Sequence, residues 1–244
     1  MLARHSSVWL IPRHGTVATA SVGGVLDCTT YSRLRDRLLE FAADARDGVV
    51  IDIDRLELRD PALVRVFALV ALRAGDWPAV PFALVTDRPE QRAVLTARAD
   101  RNVPVYRDHA AAQAALARPS RRRAGKALDR SPRTSVRARG FVEGVCAEWL
   151  VPELAEDAVL VATEFVENAL RHTDSALRLR IELRRDGLGV SVSDGSERPA
   201  VLREGLDVLE TGLGLRLVSK VAKRWGSSRL RSGGKVVWAV LARR

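Results

Sequence analysis

The chain has 244 residues, 47% hydrophobic and 29% charged, with a net charge of +10 at pH 7; that is ample apolar material for one large domain or two small ones. No apolar run approaches the ~18 residues needed to span a bilayer, and the short stretch Val8-Trp9-Leu10-Ile11 is broken by Pro12, so neither a membrane anchor nor a signal peptide is expected and the expected location is cytoplasmic. Cys28 and Cys146 stand alone and His5, His14, His109 and His172 show no ligand spacing, so the sequence supports neither a zinc site nor a CxxC redox motif.

The first half alternates strands and helices. Val17 to Val25 alternates loosely and ends at Gly23-Gly24. Tyr31 to Ala45 carries Leu34, Leu38, Leu39, Phe41 and Ala42 at helical spacing. Val49-Val50-Ile51-Asp52-Ile53 reads as a short buried strand. Asp60-Pro61 opens a helix, because Asp caps and Pro has its φ preset at the first helical position. Val64, Phe67, Ala68 and Ala71 then share one face. Val80 to Val85 is another strand, and Asp108 to Leu116 is an Ala-rich helix.

The basic charge is concentrated between Arg118 and Arg139, where nine basic residues meet one acid, Asp129. Residues 118–134 are polar, hold Pro and Gly, and lack apolar periodicity, which predicts a flexible basic linker between two domains. A nucleic-acid role would rest on that stretch alone. Such a run is ordinarily a solvated tether, so no nucleic-acid partner is expected.

The second half opens with a helix from Val136 to Trp149, followed by one from Pro152 to about Arg171. The latter's apolar stripe is Ala155, Val159, Ala162, Phe165 and Ala169. Glu164 and Asn168 stack one turn apart on another face. An amide oxygen there suits Mg²⁺, and a carboxylate can act as a general base. Leu177, Leu179, Ile181 and Leu183 alternate with charged residues, Asp186-Gly187 turns, and Leu188, Val190 and Val192 return on the inner face. Asp194 continues that series, so its carboxylate points inward and requires a partner. Thr211-Gly212-Leu213-Gly214 precedes a helix with Leu217, Val218, Val221 and Trp225. Glycines there allow close approach to phosphate, and the helix N-terminus offers free N–H groups. A terminal hairpin, Arg229 to Leu241, turns at Gly233-Gly234.

Two resemblances follow from these motifs. Residues 16–117 resemble a STAS domain, the fold of anti-sigma-factor antagonists, on Gly24-Val25-Leu26-Asp27, Val49 to Ile53 before Asp60, and Pro104-Val105-Tyr106. Phosphorylatable antagonists carry Asp-Ser-Ser-Gly where this chain has Asp60-Pro61-Ala62-Leu63, so Ala62 stands in the phospho-acceptor place without a hydroxyl. From about residue 136, Ala162 to His172, Val192 to Ser196 and Thr211 to Val218 resemble the N, G1 and G2 boxes of the Bergerat (GHKL) ATP-binding fold. The short lid, Arg224-Trp225-Gly226 and Gly234 to Ala239 look most like actinobacterial anti-sigma-factor serine/threonine kinases of the RsbW type. The order helix, hairpin, GxG, helix carries this resemblance. The helix Val136–Trp149 has no His, which excludes a histidine kinase.

The resemblances imply an α/β chain: a STAS-like domain over 1–117, a basic linker over 118–134, and a Bergerat α/β sandwich with a mixed sheet over 135–244. They imply ATP and Mg²⁺ as cofactors, with Glu164 as general base, Asn168 as Mg²⁺ ligand, Asp194 as adenine reader, and Gly195, Ser196, Thr211, Gly212, Leu213 and Gly214 lining the nucleotide. Ser196 and Arg198 stand where the family has glycines, and Val236 replaces a Thr, which implies a weakened nucleotide site. The implied activity is partner switching by an anti-sigma factor and serine/threonine kinase of a STAS antagonist. The alternative is a non-catalytic, nucleotide-gated module that sequesters those partners. Expected partners are a sigma factor, a STAS-domain antagonist and, as in much of the family, a second copy of the chain.

Overall fold

A computed structural model describes residues 7–13, 17–98, 103–116, 122–184, 186–196, 198 and 213–243. The chain divides into two compact units, Met1–Ser120 and Arg121–Arg244.

The first unit holds β1 (Val8–Arg13), β2 (Ala18–Leu26), β3 (Val49–Leu58), β4 (Phe82–Val85) and β5 (Val105–Tyr106), in the spatial order β1-β2-β3-β4-β5. β2 to β5 are parallel neighbours and β1 is an antiparallel edge. Parallel neighbours need crossovers, here α1 (Tyr31–Ala43), α2 (Arg65–Asp76) and α3 (Pro89–Arg98), and α4 (His109–Leu116) follows β5. Leu34 and Leu38 of α1, Phe67 and Val70 of α2 and Leu95 of α3 pack with Val22, Ile51, Ile53 and Leu84. Because strand side chains alternate, Val50, Ala83 and Val85 face the other way, where α4 brings Ala112 and Leu116. On that same face Asp52 Oδ2 accepts from Ser21 Oγ at 3.2 Å and lies 3.2 Å from His109 Nε2, tying α4 to the sheet. Asp60 accepts the Ala62 N–H at 2.8 Å, and Pro61 opens a 3-10 turn, Pro61–Val64, that leads into α2. The Asp-Pro pair therefore starts this helix as its chemistry predicts.

The second unit is a five-stranded sheet covered by helices. Its strands are β6 (Arg123–Leu128), β7 (Leu177–Arg184), β8 (Gly187–Asp194), β9 (Arg224–Arg229) and β10 (Lys235–Ala242), in the order β6-β7-β8-β10-β9. Its helices are α5 (Thr134–Glu148), α6 (Ala155–His172) and α7 (Leu213–Val221). Leu177, Leu179 and Ile181 of β7, Leu188, Val190 and Val192 of β8, and Val237, Ala239 and Leu241 of β10 form one core. Val142, Val161, Phe165, Val166 and Val218 complete it from the helices.

Three sequence expectations are corrected here. The expected mixed sheet is antiparallel at every hydrogen-bonded pair. β9 runs in the same direction as β8, but β10 lies between them, so the crossover through α7 creates no parallel pair. The expected linker over 118–134 is a strand over much of its length. β6 pairs with β7 from Arg123↔Glu182 to Leu128↔Leu177, and α5 begins at Thr134. An edge strand tolerates Lys and Arg, because its exposed side faces water and charge there opposes unwanted pairing. Arg123 is paired with Glu182 at 3.3 Å, and the Lys126 ammonium lies 5.5 Å from the centre of the Phe141 ring. Residues 117–121 lie outside the described residues. Finally, Trp225 belongs to β9 and not to the last helix, which ends at Val221. No helix among the described residues is long and apolar enough to cross a membrane.

Candidate functional site

The site is built on α6. Pro152 opens a 3-10 turn ahead of it, Glu156 and Asp157 occupy its first turn, and Arg171 and His172 its last. That charge order complements the helix dipole. Ala158, Ala162, Phe165, Val166 and Ala169 bury one face. Glu164 and Asn168 lie beside that face, both half-buried.

The structure brings Glu164 to the N-terminus of α7. A Cβ added to Gly214, the second residue of α7, would sit 2.0 Å from Glu164 Oε2 and 3.0 Å from its carboxyl carbon. Only glycine lets the carboxylate and this helix end approach so closely. Burial raises the Glu164 pKa, the neighbouring charge of Glu167 adds to the shift, and Arg171 opposes it. A carboxyl whose pKa is raised in this way is a stronger base once ionised than an ordinary glutamate. The Asn168 amide, one turn on, makes no hydrogen bond among the described residues, so its oxygen is free to act as a hard ligand. Leu213 is the first residue of α7. Thr211 and Gly212 lie outside the described residues.

Asp194 ends β8 on the inner face, as the alternation of β8 predicts. Its side chain is 1% exposed. Oδ1 accepts the Ser196 N–H at 2.7 Å and the Lys235 ammonium at 2.9 Å. Oδ2 is buried and has no hydrogen-bond partner. Lys235 stands directly opposite Asp194 across the β8–β10 ladder, and its side chain is only 3% exposed. The Gly195 N–H donates to Ser175 Oγ at 2.6 Å, which fixes the turn after β8. Gly234, at φ +79°, supports the opposite side: a Cβ there would lie 2.0 Å from the Asp194 carbonyl oxygen. Arg198 is exposed, and Val236 sits beside Lys235, opposite Ser193.

Lys235 and Ser175 are the site residues that sequence reasoning missed. For Lys235 a signal existed. Val237, Ala239 and Leu241 form the inward series of β10, and a period of two carries that series back to Lys235. For Ser175, a single loop hydroxyl, there was none. In the first unit Ala62 is exposed and its N–H is already held by Asp60. A cleft of about 420 Å³ beside it is lined by Ala62, Arg65, Ala97 and Arg98.

No family model and no curated protein matches the chain. Among solved structures, the crystal structure of an anti-sigma factor antagonist from Mycobacterium paratuberculosis is similar over 45% of this chain and 94% of that one, with 23% identity and a TM-score of 0.39. At that level the likeness adds nothing to what the strand order of the first unit already describes.

Proposed function

We propose that the second unit binds Mg-ATP and that the chain is a partner-switching regulator of transcription, an anti-sigma factor that phosphorylates a separate STAS-domain antagonist on Ser or Thr. The observation that carries this reading is the meeting of Glu164 with Gly214 at the start of α7, with Asn168 one helical turn away. A helix N-terminus holds phosphate by its free N–H groups and dipole. Asn168 would hold Mg²⁺, which commonly takes one or two protein ligands and completes its shell with phosphate and water. The absence of any cluster of three or more His, Cys, Asp or Glu side chains suited to a metal among the described residues is compatible with that sparse ligation. The ion, when bound, supplies neutralisation of phosphate charge. Glu164 accepts the proton of the attacking hydroxyl, Gly214 keeps the approach open, and the orphaned Asp194 Oδ2 is an acceptor for the exocyclic amine of adenine.

Ala62 offers no hydroxyl, and there is no Ser or Thr between Ser32 and Thr86. The first unit therefore acts as a fixed partner, not as a substrate in cis. A specific observation favours a second, non-catalytic reading: Lys235 already holds one oxygen of the proposed adenine reader. Under that reading the chain binds a sigma factor or antagonist and nucleotide only gates the binding.

The experiment is transfer of labelled γ-phosphate to a panel of separate STAS-domain proteins. The kinase reading expects label on an acceptor hydroxyl, lowered about 10²–10⁴-fold by Glu164→Gln with Mg-ATP binding retained. Binding without transfer selects the second reading.

A further inference from the structure

The Asp194–Lys235 pair is half-satisfied. Both side chains are almost fully buried, where a polar group without a partner is expensive and an incomplete network is worse than an apolar one. Yet Asp194 Oδ2 has no partner. An ammonium carries three donors, and among the described residues Lys235 Nζ makes one hydrogen bond, to Asp194 Oδ1. The site thus presents an unused acceptor and unused donors side by side, on the helix-covered face of the sheet. The ligand that completes it offers one donor next to one acceptor. The amine and adjacent ring nitrogen of adenine, N6 and N1, have that pattern. Guanine can present the same pair with its N1–H and O6, so the choice of adenine follows from the nucleotide reading and not from this pair alone.

Resting on the nucleotide reading above, we infer that Lys235 is a second base reader: its ammonium donates to adenine N1 while Asp194 Oδ2 accepts from N6. Lys235 stays bridged to Asp194 Oδ1 throughout, so the pair works as one neutral reading unit and orders itself before the base arrives. It takes over the base-fixing role left by Val236, which has no hydroxyl.

The test changes one atom of the ligand and leaves the protein intact. ATP and 1-deaza-ATP, in which the N1 acceptor is replaced by C–H, are titrated with Mg²⁺ into the full chain by calorimetry. Loss of a hydrogen bond from a charged donor in a dry site predicts at least about tenfold weaker binding of the 1-deaza compound. In Lys235→Met, the two nucleotides should bind alike. Equal affinities for the wild-type chain overturn the inference while leaving the nucleotide reading in place. Binding of neither compound overturns both. A 1-deaza penalty that persists undiminished in folded Lys235→Met assigns N1 to another residue and also overturns the inference.

Discussion

Replacing Lys235 by Met is the sharpest test of how the second unit is held together. The Nζ–Oδ1 separation is 2.9 Å, and the two side chains are 3% and 1% exposed. Removing the ammonium leaves Asp194 with one donor, the Ser196 N–H, for two buried oxygens. Breaking a buried pair by deleting one partner costs about 3–5 kcal/mol, mostly for the stranded charge. For a unit of this size, between the small and large domains for which 1 kcal/mol shifts Tm by roughly 2–8 °C, the second unit should melt at least about 6 °C lower. Replacing both partners together, Asp194→Leu with Lys235→Met, removes the stranded charge, and apolar substitutes for buried pairs are often neutral. The double variant should therefore recover most of the loss. Scanning calorimetry of the single and double variants gives the coupling directly. A loss under about 1 kcal/mol in Lys235→Met is what a solvent-exposed pair would show, and it would refute the claim that this carboxylate lies in a dry site.

Three further predictions test the same geometry. Gly214→Ala places a methyl 2.0 Å from Glu164 Oε2, so the carboxylate must swing aside: phosphate transfer should fall at least about 10²-fold, while denaturant titration should show little loss of stability, because the atom displaced is the free end of a flexible side chain. Burial raises the Glu164 pKa, so the folded state binds this proton more tightly than the unfolded one, and the group's contribution to stability falls as pH rises from the ordinary glutamate range through the raised value. Glu164→Gln should accordingly melt above wild type at neutral and higher pH, with the gap closing as pH drops below that range; a gap independent of pH refutes the burial argument. Arg123→Ser removes the 3.3 Å partner of Glu182, which is 1% exposed, and should destabilise the second unit by about 1–3 kcal/mol in chemical denaturation, where a merely solvated tether would show no change.

What the sequence revealed depended on whether a residue's role was written in periodicity. Period-two alternation placed Leu177 to Val192 on the inner face and carried Asp194 with them, and period 3.6 stacked Glu164 over Asn168. The Asp60-Pro61 pair marked its helix start by cap chemistry. β6 was hidden because its order comes from pairing with β7, not from its own composition of Arg, Lys, Gly and Ala. β1 was hidden by Pro12, which is tolerated because β1 is an edge. Helix α3 was hidden because it carries only Gln91 and Leu95 as buried residues, too few for a stripe. Lys235 was legible by register, but a charge in a strand reads first as a solvent-facing residue. Its burial depends on a partner 41 residues earlier in the chain, which no local pattern displays.

We propose that α6, α7 and the end of β8 form a nucleotide site. Calorimetric titration of the full chain with Mg-ATP tests it most directly. Saturable binding by the millimolar range is expected, accompanied by a rise in Tm and largely lost in Asp194→Asn; no heat and no thermal shift at millimolar Mg-ATP would rule the nucleotide site out.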